Sequence, residues 1–142
     1  MAKVLVIRLS AIGDVAMTVP VIYSAAKANP EDSFTVLTQA FLMPLFMNRP
    51  PNVEVIGINT KGAEKGLIGL LKFISALLKF DFDVILDLHN VIRTIIICTF
   101  FRLNGKRVFV LDKARKERKR LTAIKGKRLY PLRPVIVRYA DV

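Results

Sequence analysis

The chain has 142 residues, 53% of them apolar and 24% charged, which fits one globular domain with its own core and excludes a disordered or multidomain chain. One cysteine, Cys98, and one histidine, His89, exclude an internal disulfide and a two-histidine zinc motif, and fit a reducing compartment. The net charge is +12, yet residues 1–101 carry nine basic and eight acidic side chains while 102–142 carry fourteen and three, so any pull on an anionic partner comes from the tail.

Residues 4–7 are an uninterrupted apolar run and predict a buried first strand. Lys3 and Arg8 interrupt the opening segment, which has neither the apolar region nor the cleavage site of a signal peptide, so no secretion is expected. A tight loop follows through Ser10, Gly13 and Asp14, then a helix over 15–28. The alternation recurs: strand 34–37 with helix 40–47, which Pro44 should shorten or kink; strand 53–58 with helix 67–78; strand 84–88 with helix 91–103; and a last strand at 107–111. Strands apolar on both faces and separated by helices predict an α/β fold, a Rossmann-like, mainly parallel sheet with helices on both faces.

Beyond residue 111 the pattern changes to a basic run over 113–120, a mixed passage through Tyr130 and Pro134, and a final segment, 135–142, that reads as a helix begun and not finished. The chain ends as though interrupted. No stretch reaches the ~18–20 uncharged apolar residues of a membrane-spanning helix, because Lys72 divides one candidate and Arg93 and Arg102 bound the other.

In an open parallel sheet, ligands bind beyond the carboxyl ends of the strands, where helix N-termini present unpaired N–H groups. Two polar clusters fall there, Ser10 to Asp14 after the first strand and Asp87, Leu88, His89 and Asn90 after the fourth. Asp14 at a helix start has a plain explanation beside any chemical one, since an aspartate there caps free N–H groups and is stabilised by the helix dipole. Gly13 permits either a positive φ or the close approach of another molecule. The loop has no Gly-x-Gly-x-x-Gly and no Gly-Lys-Ser/Thr, so it lacks the main residues of dinucleotide and P-loop sites.

The residues themselves are more specific than their spacing. The run Val4-Leu5-Val6-Ile7-Arg8-Leu9-Ser10-Ala11-Ile12-Gly13-Asp14-Val15-Ala16-Met17-Thr18-Val19-Pro20 resembles the opening of the lipopolysaccharide heptosyltransferases, the ADP-heptose-dependent family 9 glycosyltransferases. Asp83 to Thr94 is similar to that family's strand, Asp, polar residue and basic residue, with Asn90 where glycine is usual; asparagine tolerates the left-handed conformation better than most residues. Val137 to Asp141 is similar to the helix leading out of the family's first domain.

The resemblance implies the amino-terminal half of a two-domain GT-B enzyme, with residues 1–142 as the acceptor-binding domain and the donor-binding domain absent. It implies an inverting transfer of heptose from ADP-heptose to the lipopolysaccharide inner core, with no transfer by this half alone. Asp14 is then the general base, and Ser10, Gly13, Thr18, Asp87, His89, Asn90 and Arg93 are candidate substrate contacts. Arg115, Arg118 and Arg120 are candidates for the anionic acceptor or an anionic bilayer. No metal or cofactor is implied beyond the donor, and the expected place is the cytoplasm, with peripheral contact at the inner membrane.

Several of these residues have plainer explanations. Arg93 also fits a solvent-facing charge on an apolar helix, and His89 a structural hydrogen-bonder. Cys98, within Ile95-Ile96-Ile97-Cys98, reads as core. The rival class is a basic nucleic-acid-binding α/β module using the tail with Tyr130 and Tyr139, although no binding motif supports it and nucleic acid is not the expected partner.

Overall fold

The computed structural model describes residues 1–112; the expectations for the basic run with Arg115, Arg118 and Arg120, and for helix 135–142, lie outside them. The elements are β1 (Lys3–Ile7), α1 (Ile12–Ala28), β2 (Ser33–Gln39), a 3-10 segment (Ala40–Leu45), β3 (Val53–Ile58), α2 (Gly66–Leu78), β4 (Val84–Asp87), α3 (Ile92–Leu103) and β5 (Arg107–Val110). All strand pairs are parallel, in the order β3-β2-β1-β4-β5.

The two faces of the sheet follow from strand periodicity. Val4 and Val6 of β1 pack with Val15, Ile22 and Ala26 of α1 and with Leu42 and Phe46 from the 3-10 region. Leu5 and Ile7 point the other way, into a second core with Leu70, Ile74 and Leu77 of α2 and Ile97, Cys98 and Phe101 of α3. A strand buried on both faces has no polar alternation, which is why β1 reads as continuously apolar. Phe82 adds aromatic contacts to this second core, stacked with Phe80 at 5.8 Å and edge-on to Phe101 at 6.2 Å.

Two expected helices differ in detail. α1 begins at Ile12 rather than 15, with Ala11 as N-cap and no side chain capping it, so Gly13 and Asp14 lie in its first turn. The expected helix 40–47 is a 3-10 segment that contains Pro44. Proline has no N–H to give to the fourth carbonyl back, and the tighter turn closes instead on the Phe46 N–H to Met43 carbonyl bond of 3.0 Å. This segment rests directly on β3, because a Cβ at Gly57 would lie 2.7 Å from Met43 Sδ and 2.8 Å from Ala40 Cα. Among the described residues no helix is long and apolar enough to cross a membrane, and no three His, Cys, Asp or Glu side chains gather as a metal site.

Candidate active site

The strand order reverses between β1 and β4: the chain leaves β1 toward β2 and β3, then returns to build β4 and β5 on the other side. At this switch point the loops after β1 and β4 lead to helices on opposite faces of the sheet, the place at the carboxyl edge where open parallel sheets form their binding crevice. The residues that meet there lie on these two loops and on the first turn of α1.

Arg8 is the first residue past β1. Its N–H continues the ladder to the Leu37 carbonyl at 3.0 Å, and its buried side chain turns across the crevice. There Nη1 donates to the Leu88 carbonyl after β4, while Nη2 meets Asp14 Oδ2 at 2.6 Å. One guanidinium therefore ties together the end of β1, the β4 loop and the first turn of α1. A buried charge needs such partners, and the planar fork of arginine can serve two at once.

Asp14 is the exposed end of this arrangement. Its side chain keeps 39% of its surface accessible while Arg8 holds one carboxylate oxygen. The first turn of α1 adds the positive end of a helix dipole. Capping is not its role, since no side chain caps this helix. Gly13 beside it is exposed, and a Cβ there would meet nothing within 4 Å; of the two explanations for a glycine here, positive φ is removed, because positive φ among glycines occurs at Gly66 and Gly105. Across the crevice, Ser10 Oγ lies 3.3 Å from His89 Nε2, which joins the two loops a second time.

Asp87 is the opposite case. It is 0% exposed, and its Oδ1 accepts the N–H groups of His89 and Asn90, both at 2.9 Å. Its Oδ2 lies 3.8 Å from the Cys98 thiol. The expectation that Asp87 contacts substrate is corrected: its oxygens are committed to its own loop and core. Burial, with the Asp87 carboxylate adding to it, pushes the Cys98 thiol up to about 12, which agrees with a core role for this cysteine.

Asn90 adopts φ 48°, the left-handed geometry in which asparagine replaces glycine at least cost. Its Nδ2 donates to the Leu111 carbonyl at 3.3 Å, tying the β4 loop to the end of β5. α3 then starts with Thr94 Oγ1 bonded to both the N–H and the carbonyl of Val91 at 3.0 Å.

Two further candidates do not join the crevice. Thr18 is fully buried and donates its hydroxyl to the Val15 carbonyl one turn back at 2.6 Å, so the expected substrate contact is corrected to a helix-core position. Arg93 is half-buried, and its Nη1 donates to the Glu64 carbonyl at 3.0 Å, binding α3 to the loop before α2 rather than standing free in solvent. Ser10, Gly13, Asp14 and His89 therefore share the crevice, with Arg8 beneath them. Arg8 is the residue that sequence reasoning passed over; the available signal was a charge directly after a buried strand, with a carboxylate six positions on.

This arrangement offers a partly exposed carboxylate as a proton acceptor, held by a buried cation and flanked by hydroxyl and imidazole groups able to orient a polar ligand. No family model and no curated protein sequence matches the chain. Solved structures do. A glycosyl transferase family 9 protein from Veillonella parvula superposes with TM-score 0.70 at 22% identity, over 99% of this chain and 40% of that one. The E. coli heptosyltransferase WaaC superposes with TM-score 0.64 in its ADP complex and 0.65 in its complex with ADP-2-deoxy-2-fluoro heptose, at 20% identity in both. There the match covers 98% of this chain and 45% or 46% of WaaC, so this chain spans less than half the length of these proteins. What they share with it is the fold: the all-parallel, five-stranded Rossmann-like sheet found in GT-B glycosyltransferases.

Proposed function

We propose that residues 1–142 form the acceptor-binding, amino-terminal domain of an inverting, heptosyltransferase-type glycosyltransferase. In this reading a hydroxyl of an anionic lipopolysaccharide-core saccharide attacks the anomeric carbon of ADP-heptose. The new C–O bond forms as the bond to the diphosphate breaks, ADP departs with that electron pair, and Asp14 takes the hydroxyl proton. Arg8 fixes the direction of the Asp14 carboxylate, while Ser10 and His89 orient the acceptor.

The donor is held mainly by a second domain, whose basic residues and helix dipoles take up the leaving group's charge, so the reading needs no metal and no cofactor apart from the donor. Transfer then requires the full-length enzyme, working in the cytoplasm with peripheral contact at the inner membrane. The observation that carries this proposal is the Arg8–Asp14 pair at the switch point, which aims a carboxylate and leaves its side chain 39% exposed. WaaC, which shares the fold, is solved with ADP and with a fluorinated ADP-heptose, and this supports the choice of donor.

The test is Asp14→Asn in the full-length enzyme. Loss of a positioned general base lowers kcat by about 10²–10⁴-fold, with acceptor binding retained. Transfer at the wild-type rate ends the proposal. The nucleic-acid alternative is separated by salt: binding to a phosphate backbone weakens steeply as ionic strength rises, whereas acceptor binding tracks saccharide structure.

A further inference from the structure

α2 is apolar on two sides. Leu70, Ile74 and Leu77 are buried against the sheet, as an amphipathic helix requires. The amino-terminal half also turns Leu67, Ile68 and Leu71 outward, at 61%, 74% and 38% exposure. Lys61 and Lys65 precede them in the chain and Lys72 lies one turn after Ile68, and all three are exposed. From Lys61 to Lys79 the sequence holds four lysines and one acid, Glu64, whose carboxylate accepts the Asn59 N–H at 2.8 Å.

This patch is presented rigidly. The loop carrying Lys61 and Lys65 lies so close to α2 that a Cβ at Gly69 would stand 2.5 Å from the Ala63 carbonyl oxygen and 2.9 Å from Glu64 Cα. The Arg93 bond to the Glu64 carbonyl then anchors the first turn of α3 to the same loop. Ile92 in that turn is exposed as well, at 80%. Large exposed apolar side chains accompanied by lysines match a lipid interface: the aliphatic groups enter the acyl boundary and the lysines reach back to the head groups.

The geometry points to the outer face of the α2 amino-terminal half as a peripheral docking surface for an anionic lipid bilayer. Charge selects this occupant over a second copy of the chain, because the same lysine-rich face brought against itself is repelled, whereas each lysine near an anionic surface strengthens binding. The inference deepens the membrane-side placement proposed above and rests on it, while being independent of the transfer chemistry.

The chain contains no tryptophan, so Ile68→Trp gives a single indole reporter on the patch. The 142-residue chain is sedimented with vesicles of mixed phosphatidylglycerol and phosphatidylcholine, and with phosphatidylcholine alone. The expected result is co-sedimentation with the anionic vesicles, a blue shift of the indole emission, and quenching by brominated acyl chains. Leu67→Ser with Leu71→Ser then lowers vesicle affinity by about tenfold or more, with far-ultraviolet circular dichroism unchanged.

Co-sedimentation with the indole emission unshifted overturns the inference and assigns binding to the basic tail, leaving the membrane placement standing. Absence of co-sedimentation overturns both. A blue shift without vesicles that grows with protein concentration overturns it in favour of self-association.

Discussion

Asp14 and Asp87 stand on the two sides of one crevice, and the fold uses them in opposite ways. Asp87 ends β4, is fully buried, and gives one oxygen to two backbone N–H groups and the other to a thiol. Asp14, in the first turn of α1, meets a guanidinium with one oxygen and keeps 39% of its side chain open. The difference teaches that a carboxylate at a strand end is chemically available only when its own loop does not consume it. The loop after β1 is closed by Arg8 reaching across to Leu88, which spares Asp14; the loop after β4 is closed by Asp87 itself.

The contrast breaks most visibly if the roles are exchanged. On the proposed reading Asp14→Asn should abolish transfer in the full-length enzyme, while its amide oxygen still accepts from the buried Arg8 guanidinium, so folding stability should fall by only about 0.5–1.5 kcal/mol. Asp87→Ala does the reverse in kind: it takes the acceptor from two part-buried N–H groups, those of His89 and Asn90, at the lower end of the range for a buried group, about 1–2 kcal/mol each. A loss of roughly 2–4 kcal/mol in urea unfolding is expected. Equal stability of the two variants would remove the distinction.

Arg8→Met tests what spares Asp14. The Leu88 carbonyl loses its donor and Asp14 loses its anchor, so unfolding stability falls by about 1–3 kcal/mol. In the full-length enzyme kcat falls while KM holds, because the carboxylate is still present and no longer aimed. A variant with wild-type stability and kcat would show that the guanidinium is not the brace between the two loops.

Much of this was legible in the chain. The order of strands and helices follows from the apolar runs, and β3 has the expected ends, with Pro50 and Pro51 before it and Gly57 near its end admitting the 3-10 segment. The start of α1 was not legible: Ala11 caps with backbone alone, and Gly13 with Asp14 imitates a turn that belongs to the helix. The carboxyl-edge clustering of Ser10, Asp14 and His89 could be read from strand ends. The burial of Thr18 and Asp87 could not, because it depends on which face of a helix or loop meets the sheet, a property of packing and not of spacing. Arg8 was hidden for the same reason, since a charge next to a strand ordinarily marks its solvent end.

A smaller effect separates the two carboxylates through pH. Burial first, and Asp87 second, push the Cys98 thiol from its ordinary 9.0 to about 12. A folded-state value above the unfolded one stabilises the fold fully below about pH 9, and that contribution is lost as pH rises toward 12. Thermal melts across the alkaline range should therefore decline more steeply for the wild-type chain than for Cys98→Ala. Asp14→Asn should leave that alkaline slope unchanged. Parallel declines for wild type and Cys98→Ala would mean that the thiol is not held neutral by this core.

The smallest change in volume makes the sharpest comparison, because at Gly13 folding and function should move in opposite directions. Glycine inside a helix costs about 0.5–1 kcal/mol relative to alanine, and nothing in the described chain would touch an added methyl group. The conformation does not call for glycine either, since its φ is not positive. Gly13→Ala should accordingly melt at the same temperature or higher. What the bare backbone provides is room for a second molecule to approach the first turn of α1 beside Asp14. The expected result in the full-length enzyme is weaker acceptor or donor binding with unimpaired folding. Wild-type binding by a more stable Gly13→Ala protein would place the substrate away from this turn and return Asp14 to the role of a partner for Arg8.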